Sequence, residues 1–200
     1  MDKHQFARQI SACRLQRYNK FLKIVTIYNK ISQKSSYIAS FQHLYVESFP
    51  DCERRDWGQV IGIMETDNRF HVVVARDDKG VQGFVSYWLF DGFSYIEHLA
   101  VKTTCRHRGI GGGLVNYVES MGAPLVLEVE RPVDDATRRR VAFYEHLGLV
   151  LHDEIDYVQP PYSPDKCPVP MRLMTSQAMQ VQDVRRAIDV IKREVYGVES

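Results

Sequence analysis

One stretch of the sequence, in which a glycine-rich turn separates a strand pattern from a helical pattern, constrains the fold more than any other. From Tyr95 to Glu119 it reads YIEHLAVKTTCRHRGIGGGLVNYVE, with four glycines within five residues. Glycines at a helix start let backbone N–H groups approach a ligand without a Cβ in the way, and the helix dipole adds partial positive charge. The stretch therefore predicts an anion site, with extra positive charge from Arg106, His107 and Arg108.

The patterns on either side of this turn predict a mixed α/β sheet. Before it, HVVVA, VQGFVSYWLF and FSYIEHLAV are strand patterns joined by two tight turns, which is typical of an antiparallel meander. After it come a helical pattern, the strand PLVLEVE and a second helix that ends at Gly148. LKIVTIY predicts a first strand, residues 37–57 a helix, and residues 149–151 and MRLMT two last strands. The predicted order is strand, helix, three strands, helix, strand, helix, two strands, helix.

Length and local charge predict one main domain with additions at both ends. A chain of 200 residues with 44% apolar residues is typical of one compact domain. We expect residues 1–20 to form a basic extension, residues 21–175 the main domain, and residues 176–200 a C-terminal helix. Residues 1–40 hold eight Lys or Arg and a single acid, Asp2; solvated charge is the simplest interpretation, and contact with RNA or an acidic protein is the alternative. The last helix carries an apolar stripe that its own sheet or a second subunit must cover: Val181, Val184, Ile188, Ile191 and Val195.

Composition argues against several functional classes. A formal net charge of +1 gives no sign of a nucleic-acid or membrane partner. The longest apolar run near the start, IVTIY, is too short for a signal sequence or a membrane span, so we expect a soluble, cytoplasmic protein. The four cysteines lie far apart without a CxxC pair, which fits neither a zinc site nor a dense disulfide scaffold, and a reducing compartment is the simpler assumption. The histidines form no HExxH pattern, so no metal is expected.

Three kinds of phosphate-binding turn compete for the glycine stretch. A P-loop is excluded because no Lys-Ser or Lys-Thr follows the glycines. A dinucleotide fingerprint starting at Gly109 would place Leu114 where a third Gly or Ala belongs, but Glu128 and Glu130 lie at about the right spacing for a ribose ligand. That alternative stays open.

The third kind resembles the signature of the GNAT superfamily of N-acetyltransferases. The family has Arg or Gln, two residues, Gly, one residue, and Gly or Ala after a strand; here Arg106 to Gly111 reads RHRGIG and follows the strand end LAV. The helix sequence FYEHLGL is similar to the family's Phe-Tyr-Glu-x-x-Gly-Phe. The resemblance covers roughly residues 21–175 and implies an acyl-CoA N-acyltransferase fold with acetyl-CoA as co-substrate.

The same resemblance implies which residues hold the coenzyme. The strand residues Leu99, Ala100 and Val101 would pair their main chain with pantetheine, and an N–H near Leu99 would polarise the thioester carbonyl. The turn would hold the pyrophosphate through the backbone N–H groups of His107 to Gly112, with positive charge from Arg106 beside them. The coenzyme-binding residues of the turn are thus Arg106, His107, Arg108, Gly109, Ile110, Gly111 and Gly112. The family commonly has Asn at the position of Thr137 and Ala at the position of Arg140. These two departures affect the expected coenzyme contacts near α4 more than the expected fold.

Two residues are the leading candidates for the chemistry. The resemblance implies that Tyr144 is the acid that protonates the departing thiolate, and a phenol stays protonated at neutral pH, as a donor must. Strict alternation along YIEHLAV places Glu97 on the face of Tyr95, Leu99 and Val101, close to the thioester, which makes it the candidate base. Other candidates are weaker. His98, on the opposite face, fits a hydrogen-bonded core histidine, Glu128 and Glu130 are fallback bases, and Cys105 fits a small core residue better than a nucleophile.

The sequence thus favours an N-acetyltransferase that moves an acetyl group from acetyl-CoA to a primary amine by direct transfer. Two alternatives remain: a catalytically silent acyl-CoA sensor on the same fold, and a phosphate-loop protein for another nucleotide. The acceptor would be an amine of a small molecule or a protein, held between the first helical segment and the loop QPPYSPDKCPVP. Its candidate wall consists of Phe49, Trp57 and Tyr162, with Asp51 or Glu53.

Overall fold

The computed structural model describes residues 23–27, 36–176 and 179–198, so the predicted basic extension of residues 1–20 lies outside the described residues. Within these ranges the chain alternates strands with helices on both sides of one sheet. The strands are β1 (Lys23–Ile27), β2 (Phe70–Asp77), β3 (Gly80–Phe90), β4 (Phe93–Val101), β5 (Leu125–Glu130), β6 (Leu149–Gln159) and β7 (Val169–Ser176). The helices are α1 (Ser36–Ser48), α2 (Trp57–Thr66), α3 (Ile110–Glu119), α4 (Asp135–His146) and α5 (Val181–Glu194).

The described strands form one seven-stranded sheet in the order β1-β2-β3-β4-β5-β7-β6. Neighbours are antiparallel everywhere except between β4 and β5, which are parallel. A parallel pair needs a crossover, and α3 supplies it. The predicted mixed α/β sheet, including the antiparallel meander β2-β3-β4, is therefore confirmed.

Apolar side chains form one core on each face of the sheet. On one face α1, α2 and α5 bury residues such as Phe41, Met64 and Ile191 against Phe84 and Tyr95 of the sheet. On the other, α3 and α4 bury residues such as Leu114 and Val141 against the opposite side chains of the strands. We call these the α1-face and the α3-face; the crossover helices α3 and α4 cover one and the remaining helices the other.

The helix predicted over residues 37–57 is shorter than predicted, and a separate helix begins where the predicted one was to end. Helix α1 ends at Ser48, Pro50 takes an extended conformation, and a short 3-10 turn follows at Asp51–Glu53. Helix α2 then begins at Trp57 and continues to Thr66, with a capping box in which Gln59 and Asp56 bond each other's backbone. The sequence analysis did not predict this second helix.

Helix α5 lies on the α1-face of its own sheet. Val184, Ile191 and Val195 of the predicted stripe are buried in that core together with Ala187, whereas Val181 is exposed. The end of the described chain, just after α5, therefore lies over the centre of the sheet.

Candidate active site

Strands β4 and β5 lie side by side in the middle of the sheet but pair over only part of their length. Their parallel register ends at Ile96 and Leu127, whereas β4 continues to Val101 and β5 to Glu130. On their outer edges both strands stay paired to those ends, β4 with β3 and β5 with β7. The inner edges beyond residues 96 and 127 are therefore open, and we call this gap the β4–β5 cleft.

An open inner edge leaves main-chain N–H and C=O groups that can pair with an extended ligand as if it were another strand. Leu99, Ala100 and Val101, the predicted pantetheine residues, lie along this edge of β4. Leu99 and Val101 point to the α3-face and Ala100 to the α1-face. The structure thus places these three residues where such pairing is available.

The glycine turn lies at the end of the same cleft and presents a row of backbone N–H groups. Helix α3 has Gly109 as its N-cap in the left-handed region (φ 74°), and His107 is also left-handed (φ 61°). The N–H of Gly113 is the first to bond back along the helix, to the Gly109 carbonyl at 2.9 Å. The N–H groups before it have no partner inside the helix, and no described side chain caps them. Successive left-handed and helical residues of this kind form a concave anion site.

Charge at the turn suits a phosphate ligand. Arg106, His107 and Arg108 are all exposed, so their polar groups can reach an anion. Together with the N–H groups at the start of α3, which have no partner inside the helix, they fit a pyrophosphate group. The glycine at position 111 has a packing reason, because an added Cβ would lie 3.2 Å from the Phe143 ring.

A β-bulge changes the orientation of Glu97. In the β3–β4 register Ser86 pairs with His98 but Tyr87 pairs with Ile96, so Glu97 is the extra residue. Glu97 and His98 both point to the α1-face, as their contacts there show. The prediction that Glu97 shares a face with Leu99 and Val101 is therefore wrong, as is the prediction that His98 points away from Glu97. Strict alternation cannot reveal a bulge.

The Glu97 carboxylate is fully enclosed and engaged at both oxygens. Arg55 donates its Nε–H to Oε1 at 2.8 Å, and Trp88 donates its indole N–H to Oε2 at 2.6 Å. The Glu97 side chain is 0% exposed, so the partial exposure of this residue belongs to its main chain in the cleft. Burial raises the pKa of Glu97, but the charge of Arg55 and the hydrogen bonds from Trp88 and Arg55 offset this, so the net pKa lies below its ordinary value.

Arg55 connects several parts of the α1-face. Besides Glu97 it donates from Nη2 to the Val195 carbonyl at 2.6 Å, and its guanidinium lies 4.7 Å above the Tyr162 ring. Its backbone N–H donates to the Tyr45 hydroxyl. Arg55 cannot be found from the sequence, because no spacing rule links it to Glu97, which lies 42 positions later.

The fallback base Glu128 also lies beside the cleft, one residue past the last β4–β5 pair. It points to the α1-face, where Tyr157 donates to Oε1 and Tyr196 donates to Oε2 at 2.8 Å. The Tyr196 hydroxyl also lies 3.2 Å from that of Tyr95 and 3.4 Å from that of Tyr162. Burial raises the pKa of Glu128 to about 7, although the tyrosine hydrogen bonds act in the lowering direction.

Tyr144 lies on α4 and packs on the α3-face against the Phe143 ring. Burial raises the pKa of Tyr144 to about 12, so the phenol keeps its proton at neutral pH. Among the described residues its hydroxyl has no hydrogen-bond partner, unlike the tyrosines around Glu128. Its use as a proton donor stays a prediction.

His98 and Cys105 occupy structural positions. His98 is buried, its Nε2 lies 3.0 Å from the Glu53 carbonyl, and burial lowers its pKa, so the ring is neutral. Cys105 is buried and donates its thiol to Gln82 at 3.1 Å. Both agree with the structural roles that the sequence favoured.

The two departures from the family pattern have local explanations. Thr137 forms a capping box with Asp134 at the start of α4, in which the Thr137 N–H donates to the Asp134 carboxylate at 2.8 Å. Arg140 forms an ion pair with Glu130 at the end of β5. Thr137 therefore caps the helix, and Arg140 reaches the end of the β4–β5 cleft.

Three contacts tie the proline-rich loop to the segment between α1 and α2. A disulfide joins Cys52 to Cys167. The buried Lys166 ammonium donates to the Arg54 carbonyl at 2.7 Å and to Asp56 at 2.8 Å. A disulfide is not expected in the reducing compartment that the sequence suggested. The two cysteines lie 115 residues apart, and this spacing does not predict their pairing.

Of the predicted acceptor wall, Tyr162 contributes to the α1-face beside Glu97 and Glu128, stacked near His98. Phe49 and Trp57 pack partly buried in the same core, and Asp51 and Glu53 lie on the intervening turn. The structure brings these candidates to one side of the cleft, opposite α3 and α4.

The described part of the chain holds no cluster of three or more His, Cys, Asp or Glu that could bind a metal ion. No described helix is long and apolar enough to cross a membrane.

Comparison with known proteins finds acetyltransferases by sequence and by structure. Residues 68–149 match the model of the acetyltransferase (GNAT) domain. A solved structure of a candidate GNAT-family acetyltransferase from Bacteroides thetaiotaomicron is 32% identical, with a TM-score of 0.79; the match covers 88% of this chain and 99% of that one. YjbC, a candidate acetyltransferase of Bacillus subtilis, is 34% identical over 75 residues. That match spans 36% of this chain and 38% of YjbC.

A more distant structure shares the fold. The GNAT family acetyltransferase from Elizabethkingia anophelis, solved with acetyl-CoA bound, is 14% identical with a TM-score of 0.53, over 79% of this chain and 99% of that one. At this identity the likeness concerns the fold alone.

Proposed function

Since the chain belongs to the GNAT family of acetyltransferases, we propose that it moves an acetyl group from acetyl-CoA to a primary amine by direct transfer. The acceptor would be an amine of a small molecule or a protein, and a cytoplasmic location is part of the same proposal. The observation that carries it is the open β4 edge, which a short 3-10 turn at Thr103–Cys105 connects to the N–H row of the glycine turn.

These two features fit the two halves of coenzyme A. The edge of Leu99 to Val101 offers main-chain groups for pantetheine. The turn from His107 to Gly112 offers N–H groups for the pyrophosphate, and Arg106 adds positive charge beside it. Acetyl-CoA supplies an activated acyl carbon in its thioester. The chain's part is to hold that thioester in the β4–β5 cleft, where the Leu99 amide can donate to its carbonyl oxygen.

The proposed proton donor is Tyr144, because its hydroxyl stays protonated and has no competing partner among the described residues. We keep Glu97 in the site beside the cleft, as a residue that positions the bulged main chain. Its role as the base is a weaker part of the proposal, since Arg55 and Trp88 occupy both carboxylate oxygens.

The first test is binding. Thermal stabilisation and calorimetry with coenzyme A, acetyl-CoA, ATP and NAD distinguish a coenzyme A site from a site for a dinucleotide or another nucleotide. A ligand at 100 times its Kd adds about 2.7 kcal/mol to the folded state. The matched control is Gly111→Trp, whose side chain must occupy the turn near Phe143. Stabilisation by ATP or NAD, and not by coenzyme A, would refute the assignment of the cleft.

The second candidate function is an acyl-CoA sensor without turnover, which the full occupation of Glu97 favours. The two differ in thiol release: an enzyme releases coenzyme A when primary amines are added, whereas a sensor binds acetyl-CoA and releases none above the rate without protein.

A further inference from the structure

The disulfide between Cys52 and Cys167 joins the two segments that flank the side proposed for the acceptor. Cys52 lies in the 3-10 turn between α1 and α2, and Cys167 lies in the proline-rich loop between β6 and β7, residues 160–168. The β4 edge and the glycine turn, which form the coenzyme side, have no part in the bond. Its presence or absence therefore acts first on the acceptor side.

Noncovalent contacts also join these two segments. The Lys166 ammonium donates to the Arg54 carbonyl and to Asp56, and the Arg55 guanidinium lies 4.7 Å from the Tyr162 ring. Hydrogen bonds and ring contacts of this kind open and re-form as a loop fluctuates, whereas a covalent bond does not. The disulfide thus fixes an arrangement that these contacts alone only favour.

The position of the proline-rich loop reaches the centre of the site through Arg55. Arg55 donates to the Glu97 carboxylate at 2.8 Å, and Glu97 is the bulged residue of β4, just before His98 and Leu99. The Tyr162 ring of the loop also lies near His98, with 6.1 Å between the ring centroids. Movement of the loop therefore shifts the side chains that support the bulge, without any contact with the coenzyme.

Exposure makes this bond available to a thiol. Exchange needs a thiolate that reaches one of the two sulfurs. Cys167 is exposed and Cys52 is half-buried, whereas Cys105 is buried. In a compartment rich in reduced thiols disulfides are rare, and those that occur are mostly transient and catalytic or redox-sensing. An exposed disulfide that links two segments of the acceptor side fits the redox-sensing class.

We propose that Cys52 and Cys167 form a reversible thiol–disulfide site that controls the acceptor side of the cleft. The disulfide form holds the proline-rich loop in place for transfer, and the dithiol form releases the loop and slows transfer. The inference rests on the proposed function for its effect on catalysis. The co-reactant that it requires is a dithiol reductant.

The exchange balances with such a dithiol. One of its thiolates attacks the Cys167 sulfur, so that a mixed disulfide forms, the bond to Cys52 breaks and Cys52 leaves as a thiolate. The second thiolate of the reductant attacks the reductant's own sulfur in the mixed disulfide and releases Cys167. The pair of cysteines gains the two electrons and two protons that the dithiol loses, and the dithiol becomes an intramolecular disulfide.

The test equilibrates the whole chain in buffers with different ratios of reduced to oxidised dithiothreitol. Acetylated cadaverine, tyramine and lysine peptide are measured by mass spectrometry, because a thiol reagent would detect the buffer. We expect reduction to lower kcat/KM for the amine about 10-fold or more, since the supports of the bulge move, while the affinity for acetyl-CoA stays unchanged. The loss should have the same midpoint as the fraction of chains that hold the Cys52–Cys167 bond, measured by peptide mass after alkylation.

Variants separate this site from other effects of the buffer. Cys52→Ser combined with Cys167→Ser should give the activity of the reduced form in every buffer, and Cys105→Ser should respond as the unchanged chain does. Equal activity of the oxidised and reduced chains, or a response of the double variant to the buffer, would overturn the proposal. So would a loss of activity that is matched by an equal loss of affinity for acetyl-CoA.

Failure of the proposed function gives a different result. If acetyl-CoA binds but no amine is acetylated in either form, hydrogen exchange still tests the site. Amides of residues 49–56 and 160–168 should exchange about 10-fold faster or more in the reduced chain, and those of residues 95–112 should not change. Equal exchange in the oxidised and reduced chains contradicts release of the loop.

Discussion

Replacing Arg55 with methionine tests whether the buried ion pair with Glu97 holds the α1-face together. The change keeps an unbranched apolar stem but removes the guanidinium. Glu97, with a side chain that is 0% exposed, would then be an enclosed carboxylate with only the Trp88 indole as a hydrogen-bond donor. The Val195 carbonyl would also lose its 2.6 Å donor.

The expected loss is large for a single substitution. Removing one partner of a buried ion pair costs about 3–5 kcal/mol, and an unsatisfied carbonyl adds about 1 kcal/mol. We therefore expect the free energy of unfolding to fall by roughly 4–6 kcal/mol. For a chain of this size each kcal/mol corresponds to about 2–4 °C, so the Tm should fall by about 8–24 °C.

The loss should depend on pH in a direction set by Glu97. In the native protein its folded pKa lies below the unfolded value of about 4.3, so its contribution to stability is present above that value and lost as the pH falls through the folded pKa. Without Arg55 the burial effect dominates and the folded pKa rises above the unfolded value. The variant is then destabilised as the pH rises, so its deficit is largest near pH 7.5 and smaller near pH 4.5.

Urea denaturation at both pH values measures this. Glu97→Gln and the double variant complete the cycle, and the double variant should recover about 2 kcal/mol or more of the Arg55→Met loss, because it removes the stranded charge. An Arg55→Met deficit that is equal at the two pH values, or additive with Glu97→Gln, would refute the reasoning.

Two further predictions concern the site and its acceptor side. Tyr144→Phe should lower the rate of thiol release about 100-fold at saturating acetyl-CoA with little change in coenzyme affinity, because only the donated proton is lost; an unchanged rate in the same assay removes Tyr144 from the chemistry. Reducing the bond between Cys52 and Cys167, or replacing both with alanine, should lower the free energy of unfolding by about 3–5 kcal/mol, because the bond closes a loop of 115 residues. Denaturation midpoints that coincide with and without reductant would contradict this.

The sheet, its meander and the helix after the glycines could be predicted because each rests on a local pattern. Apolar runs bounded by two tight turns predicted β2 to β4, and helical spacing predicted α3 and α5. The C-terminal position of Gly148 predicted the end of α4. Helix α2 could not be separated from α1 by spacing alone. Pro50 marks the break between the two helices, and the cap formed by Asp56 and Gln59 marks the start of α2.

The coenzyme side of the site could also be predicted, because its strand, turn and helix follow one another in the sequence from Leu99 to Gly112. The α1-face side of the site could not be predicted in this way. Arg55, Glu97 and Tyr196 come from three distant parts of the chain, and only the packing of α1, α2 and α5 brings them together. The β-bulge at Glu97 depends on the pairing of two strands, so no pattern within β4 alone can show it.

The short pairing between β4 and β5 has a mechanical consequence. The sheet consists of two leaves, β1 to β4 and β5 to β7, which share few main-chain bonds along one seam. An extended molecule bound along that seam, with its phosphates at the α3 end, would contact both leaves and hold them together. This seam has the fewest main-chain pairs of the described sheet. A donor bound there as proposed would therefore make the rigidity of the sheet depend on the ligand.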